Sequence, residues 1–183
     1  KRAWLFYMST GCRLREPFLA ELKGRWLKIG AKSSKGRKER TIELSPLLIA
    51  IYNEMMDNYE SKLGSSGHGT WSASHDGIID SYSKIFKKAC KMLGFGEHKF
   101  HNLRDTYAVR RWAECGDIYL VCKEIGHARV SQTERYADFN IHELKDDFPS
   151  LAHKIDSRLK KSDHLKAIES LGQTCIGSFP ISA

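Results

Sequence analysis

Between Lys99 and Tyr136 the chain gathers side chains suited to the chemistry of a phosphodiester. His101-x-x-Arg104 sets an imidazole and a guanidinium one helical turn apart, and the i,i+3 spacing predicts that they share a face. His127 follows Gly126 just past a helix stop, and Tyr136 comes nine residues after that histidine. Attack on phosphorus loads negative charge onto the two non-bridging oxygens. A planar, permanently protonated guanidinium donates two hydrogen bonds to such oxygens, a geometry that lysine does not match. Arg104 suits that role, as does Arg13 near the start of the chain. Fixed donors aimed at developing charge are worth about 2.7–4 kcal/mol each in analogous sites. Tyr136 reads as the nucleophile; its ordinary pKa near 10 means that nearby positive charge must help the phenol ionise as it attacks. His127 reads as a donor to a phosphoryl oxygen. His101 reads as a second donor or as acceptor of the phenolic proton, with simple support of its neighbours as the alternative. The leaving 5′-oxygen needs a proton, which a lysine can supply.

Positive charge is concentrated where such a site needs it. The 183 residues carry a net charge of +8, and residues 1–50 hold 12 Lys/Arg against 4 Asp/Glu, while the remainder is balanced. This asymmetry predicts a patch that faces a polyanion. The length allows one well-buried domain with room for an appendage, and the hydrophobic content of 41% fits a soluble protein. No apolar run approaches the roughly 20 residues of a membrane span, and the first residues lack the features of a signal peptide. With Lys1 in place of an initiator Met, the chain reads as a piece of a longer protein. The five cysteines are scattered without zinc spacing, so no metal site and free thiols are expected.

The elements that must position these residues are mainly helical. Residues 3–8 read as a buried helix, followed by a short helical turn over 12–16 that Pro17 cuts off. Residues 18–22, 25–31 and 41–44 read as three short strands, with Lys23-Gly24 turning the first pair and the polar run 32–40 linking the second. Ser45-Pro46 starts a helix with Leu47, Leu48, Ile51, Tyr52, Met55 and Tyr59 on one face. Residues 64–69 read as a loop. A helix over 82–93 presents Ile85, Phe86, Ala89 and Leu93 and stops at Gly94. Helices over 103–115 and from Asp117 to Ile125 are closed by Gly116 and Gly126, and Ser131 to Glu134 fits a capping box. Residues beyond Phe139 are helix-compatible to about Leu171. The expected fold is mainly α with a small antiparallel β-sheet of three short strands.

Four segments resemble, in order, the motifs of one family. Thr10-Gly11-Cys12-Arg13-Leu14-Arg15-Glu16 is similar to a first arginine box, Thr-Gly-x-Arg-x-x-Glu. Lys35-Gly36-Arg37-Lys38-Glu39-Arg40 is similar to a lysine-bearing hairpin, His101-Asn102-Leu103-Arg104 to a second box, and Ile125-Gly126-His127 with Thr133-Glu134-Arg135-Tyr136 to a third. Residues 5–145 thus resemble the catalytic domain of a tyrosine recombinase of the phage integrase family. The chain departs from that pattern at Pro17, directly after the first box, and at Asp105, where relatives often place a second histidine.

The resemblance implies a recombinase-like α+β catalytic domain over residues 1–145, without the N-terminal domain that completes a clamp on DNA, and a helical tail over 146–183 that docks on a neighbouring protomer or is partly disordered. It implies a site-specific recombinase that cuts and rejoins double-stranded DNA through a covalent 3′-phosphotyrosyl link, with no cofactor, metal or ATP. Arg13, Lys35, His101, Arg104, His127 and Tyr136 are the implied catalytic set. Lys35 aligns best as the general acid, with Lys32 its competitor. Lys32, Arg37, Lys38 and Arg40 are expected to neutralise DNA phosphates. The implied setting is the cytoplasm of a prokaryotic host, at the nucleoid, as a homotetramer on DNA, the fragment being a monomer in solution. A type IB topoisomerase-like enzyme and a non-catalytic DNA-binding remnant are the alternatives.

Overall fold

Alternation of side chains along three short strands sets the small sheet. In the computed structural model, which describes residues 1–31, 39–64, 74–127, 129–134, 143–157 and 160, β1 (Glu21–Lys23), β2 (Trp26–Ile29) and β3 (Arg40–Glu43) form an antiparallel sheet in that order. Lys23 pairs with Trp26 across a two-residue turn in which Gly24 takes φ +59°. The turn therefore falls at Gly24-Arg25, one residue later than expected. Leu27 and Ile29 are fully buried while Trp26 and Lys28 are exposed, the period of two that a half-buried strand requires. Ile29 pairs with Arg40 and Leu27 with Ile42. That register places Arg40 on the inward side, and the strand begins there rather than at Thr41.

The chain ahead of the sheet differs from expectation. Residues 17–19, of which Phe18 and Leu19 were assigned to a strand, form a 3₁₀ turn (Pro17–Leu19), and residues 12–16 are not helical. Proline lacks the N–H that a first helical residue would leave unpaired, so Pro17 opens a turn here instead of ending one.

Among the described residues the helices run α1 (Arg2–Thr10), α2 (Pro46–Gly64), α3 (His75–Met92), α4 (Asn102–Cys115), α5 (Ile118–Ile125), α6 (Ser131–Glu134) and α7 (Leu144–Asp147), with residues 152–157 again helical. Asp117 caps α5 by accepting from the backbone N–H groups of Tyr119 and Leu120 at 2.9 and 3.0 Å. Gly116 and Gly126 close α4 and α5 in the left-handed conformation. Ser131 lies within α6 and does not cap it. Helix α3 starts earlier than its apolar pattern suggested, because the Ser74 hydroxyl accepts from the Gly77 N–H at 3.1 Å. Its buried face is Ile78, Ile79, Phe86 and Cys90, whereas Ile85 and Leu93 are exposed. In α2, Ile51, Tyr52, Met55 and Tyr59 are buried and Leu47 is not.

Two apolar clusters hold these elements. The first joins α1, the sheet, α2 and α3 around Phe6, Tyr7, Leu27, Ile29, Ile51 and Phe86. The second joins α4 and α5 to the later chain through Ala108, Trp112, Val121, Ile125, Leu144 and Ile155. Residues 143–157 therefore pack on the same body as α4 and α5, past the expected boundary at 145; residues 161–183 of the expected tail lie outside the described residues. No described helix is long and apolar enough to cross a membrane.

The seam between the clusters is tight at Gly11, the C-cap of α1. Its φ is +63°, and a Cβ built there would lie 2.5 Å from Cδ1 of Tyr107 on α4. Gly24 has a similar φ but open space around it. Gly24→Ala should cost about 1 kcal/mol in urea unfolding, and Gly11→Ala about 3 kcal/mol, because strain and overpacking add there. Equal losses at the two positions would disprove the close α1–α4 seam.

Candidate active site

Arg104 is the largest of the fully buried side chains, at 1% exposure. Taking a guanidinium out of water costs several kcal/mol, so it must find partners inside. It finds two helix ends. Its Nη1 donates to the Gly11 carbonyl at 2.6 Å, and its Nη2 donates to the carbonyl of Ile125. Gly11 caps α1 and Ile125 is the last residue of α5, so both oxygens belong to helix C-termini, where carbonyls lack intrahelical donors and the dipole favours a cation. One side chain thus ties the first arginine box to the Gly126-His127 turn. Burial, then repulsion from Arg13, lowers its pKa to about 10, which still leaves it charged at neutral pH. Its Nε is buried without a hydrogen-bond partner among the described residues.

A second buried charge lies beside it. Glu16 is 1% exposed and accepts four hydrogen bonds. Its Oε1 takes Arg13 Nη1 at 2.9 Å and Arg40 Nη1 at 3.1 Å; its Oε2 takes the Arg13 backbone N–H at 2.7 Å and Arg40 Nη2 at 2.5 Å. Burial pushes the carboxyl pKa up, but Arg40 and the Arg13 N–H outweigh it and hold the group below its ordinary value. The expected role of Arg40 as a surface phosphate contact is corrected: it is 9% exposed and engaged with Glu16, because the alternation that turns Ile42 and Leu44 inward turns it inward too. Arg13 and Arg40 share this carboxylate and Arg104 lies within its field, so among the described residues the cluster of three guanidiniums and one acid carries a net charge of about +2. Arg13 remains partly open, at 24% exposure.

His127 is 7% exposed, and its Nδ1 lies 2.9 Å from the Thr133 hydroxyl, itself fully buried. That contact fixes the ring's rotation whichever nitrogen carries the proton. His127, Gly126 and Arg40 line a cleft of about 560 Å³ with Glu39, Tyr119, Cys122, Lys123 and Val130. A groove of similar size, about 590 Å³, lies between α1 and α2 but is lined by Glu54, Asp57 and an Arg2 already paired with Glu54. The anion-ready cleft is therefore the one at His127.

His101 differs from expectation. It sits at the N-cap of α4 with its side chain 51% exposed and its Nε2 3.9 Å from Asp105 Oδ1, while Arg104 one turn on is inside. Lys32, Lys35, Arg37, Lys38 and Tyr136 lie outside the described residues. Much of the positive charge in residues 1–50 is paired locally, as in Arg25 with Glu43, Lys28 with Glu39, and Arg15 with Asp76 and Asp80. Sequence reasoning missed two contributors, Glu16 as buried counter-ion and Thr133 as partner of His127. The first was marked by a lone acid three residues after Arg13; the second stood in the third motif, at the head of Thr133-Glu134-Arg135-Tyr136, six residues after His127.

The sign of the Glu16 shift fixes a pH dependence. A folded-state pKa below the unfolded value gives stability that is present above the unfolded value and is lost as pH falls through the folded one. Glu16→Gln should cost about 3–5 kcal/mol at pH 7, since it leaves buried guanidiniums uncompensated. The gap to wild type should narrow as pH drops below the ordinary value of 4.5. Parallel stability curves from pH 7 to pH 3 would contradict this account of the pair.

Comparison with known proteins agrees with this geometry. The model of the phage integrase family matches residues 5–143. An integrase of Escherichia phage 186 is 27% identical over 148 residues, covering 76% of this chain, and transposase A from transposon Tn554 of Staphylococcus aureus is 26% identical over 140 residues, covering 71%. The chain spans 37% and 36% of those two relatives' lengths. Among solved structures, XerA recombinase matches with a TM-score of 0.55 at 20% identity, over 81% of this chain and 56% of that one. XerH recombinase in a post-cleavage complex with a palindromic difH substrate matches with a TM-score of 0.55 at 20% identity, over 80% of this chain and 44% of that one. The fold is that of a tyrosine-recombinase catalytic domain, and the chain belongs to the phage integrase family.

Proposed function

We propose that this chain is the catalytic part of a site-specific DNA recombinase that cuts and rejoins strands through Tyr136. The observation that carries the reading is the excess of positive charge that Arg13, Arg40 and Arg104 keep over Glu16 among the described residues, in a cluster tied to the Gly126-His127 turn by contacts between segments far apart in sequence. A folded protein accepts such self-repulsion where an anion completes the site, and a phosphodiester is an anion whose charge rises during attack.

In this reading the Tyr136 oxygen attacks phosphorus while Arg13 and Arg104 meet the non-bridging oxygens and His127 donates to one of them. The bond from phosphorus to the 5′-oxygen breaks, and that oxygen takes a proton from Lys35, with Lys32 as the competitor. The 3′-phosphate stays linked to the phenolic oxygen, so the bond energy is retained and a 5′-hydroxyl of another strand reseals it without ATP. The exposed position of His101 fits a role at the rim, where it supports Arg104's turn or takes the phenolic proton. The substrate is double-stranded DNA in the host cytoplasm, bound by a homotetramer of the full-length protein.

Covalent trapping tests the reaction class. The full-length protein, incubated with a nicked duplex carrying the attachment site of its own element, should give a denaturation-resistant protein–DNA band, and Tyr136→Phe should give none. Arg13→Ala should slow band formation by about 10²–10³-fold, the usual cost of one charge-stabilising donor. Lack of a band from the full-length wild type would favour a DNA-binding protein without cleavage activity.

A further inference from the structure

Arg40 was expected to face DNA, and its burial calls for a different role. Its guanidinium covers two parts of the site at once. On one side it fills an acceptor position on each oxygen of Glu16. On the other it packs against Gly126, where a Cβ would come within 3.0 Å of its Nη1 and 3.7 Å of its Cζ. Gly126 also takes φ +68°, so the turn that presents His127 is shaped by a backbone that favours glycine and by a cation that a Cβ would crowd.

We propose that Arg40 is a positioning residue for strand cleavage, keeping Arg13 available to the scissile phosphate; this rests on the recombinase reading above. A carboxylate offers about four acceptor positions. With Arg40 in place, Glu16 draws only one side-chain nitrogen, Nη1, from Arg13. The Nε and Nη2 of Arg13 keep their hydrogens for an anion. Remove Arg40, and two acceptor positions on a buried carboxylate fall vacant. The nearest cation with spare donors is Arg13, already on the same carboxylate, and it closes into a two-toothed pair that leaves fewer of its donors for an anion. Arg40 acts on the reaction through Glu16 and Gly126 and need not touch the substrate.

The test compares wild type, Arg40→Met, the double variant Glu16→Gln/Arg40→Met and Arg13→Ala in the full-length protein, at a temperature where circular dichroism shows each folded. Two nicked substrates are used, one with an ordinary scissile phosphodiester and one with a methylphosphonate, in which a methyl group replaces a charged non-bridging oxygen. On the phosphodiester, Arg40→Met should slow adduct formation by on the order of tenfold or more, with DNA affinity and its salt dependence unchanged. On the methylphosphonate, which has no charge for Arg13 to meet, the deficits of Arg40→Met and Arg13→Ala should shrink together. The double variant should recover part of the rate on the phosphodiester, because a neutral side chain at position 16 no longer captures Arg13. An equal deficit on both substrates without recovery would reduce Arg40 to a purely structural role. Weaker binding with an unchanged cleavage rate would return it to phosphate contact. No adduct from wild type on either substrate would overturn the recombinase reading and this inference with it, whereas a wild-type adduct alongside an unimpaired Arg40→Met would overturn this inference alone.

Discussion

Everything at this site depends on where buried charge can be satisfied. Arg104 is almost wholly removed from solvent, so its position is dictated by the carbonyls it can reach, and those are Gly11 and Ile125. Both lie at helix C-termini that the chain has to bring together before the guanidinium can be buried. Packing of α1 and α5 against α4 and ionic satisfaction of Arg104 are therefore one requirement. An apolar residue in its place would remove the desolvation cost, and buried ionic groups are often replaceable on stability grounds alone. Retaining an arginine there makes physical sense when the charge has work beyond the fold.

Glu16 solves the complementary problem. Three guanidiniums in a low-dielectric pocket repel one another, and repulsion from Arg13 and Arg40 adds to burial in making Arg104 easier to deprotonate. One fully coordinated carboxylate lowers that repulsion without cancelling it. A second carboxylate would make the folded state more comfortable and the site useless for an anion, whereas none would leave self-repulsion unopposed. The balance of one acid to three bases keeps the pocket folded and still short of negative charge. The open side, at Arg13 and the cleft beside His127, is where that charge can be supplied from outside.

The sequence made different parts of this arrangement legible to different degrees. Residue types with local signatures were readable: the caps at Asp117, Gly116 and Gly126, the helix start at Ser45-Pro46, and the order of arginine, histidine and glycine along the boxes. Register and facing were not. Ile85 and Leu93 fit an apolar face of α3 as well as Ile78 and Ile79 do until the helix start at Ser74 is known, and only tertiary packing then chooses between them. Proline before an apolar run equally suits a stop and a start, and at Pro17 the start prevailed. Arg40 shows the deepest limit. A basic residue at the end of a charged run reads as solvated, but two-residue periodicity counted back from Leu44 through Ile42 puts it inside. Composition and periodicity disagreed there, and periodicity was right because Glu16, 24 residues earlier, was waiting to pair with it.

That disagreement carries a more general point about reading charge in this chain. The excess of positive residues in the first 50 positions suggested a surface for a polyanion, yet several of those side chains are paired with acids close by in the fold. What survives as anion affinity is not the sum of the charges but the part that the fold leaves uncompensated. At Arg13, Arg40 and Arg104 that remainder is concentrated in a buried pocket, where screening by salt is weak and each donor has a fixed direction. The same two charges spread over an exposed face would attract DNA from a distance and then do little to a particular phosphate. Buried and aimed, they are suited to discriminate between a diester with one negative charge and a state of attack with nearly two, and that difference is what the proposed strand cleavage requires.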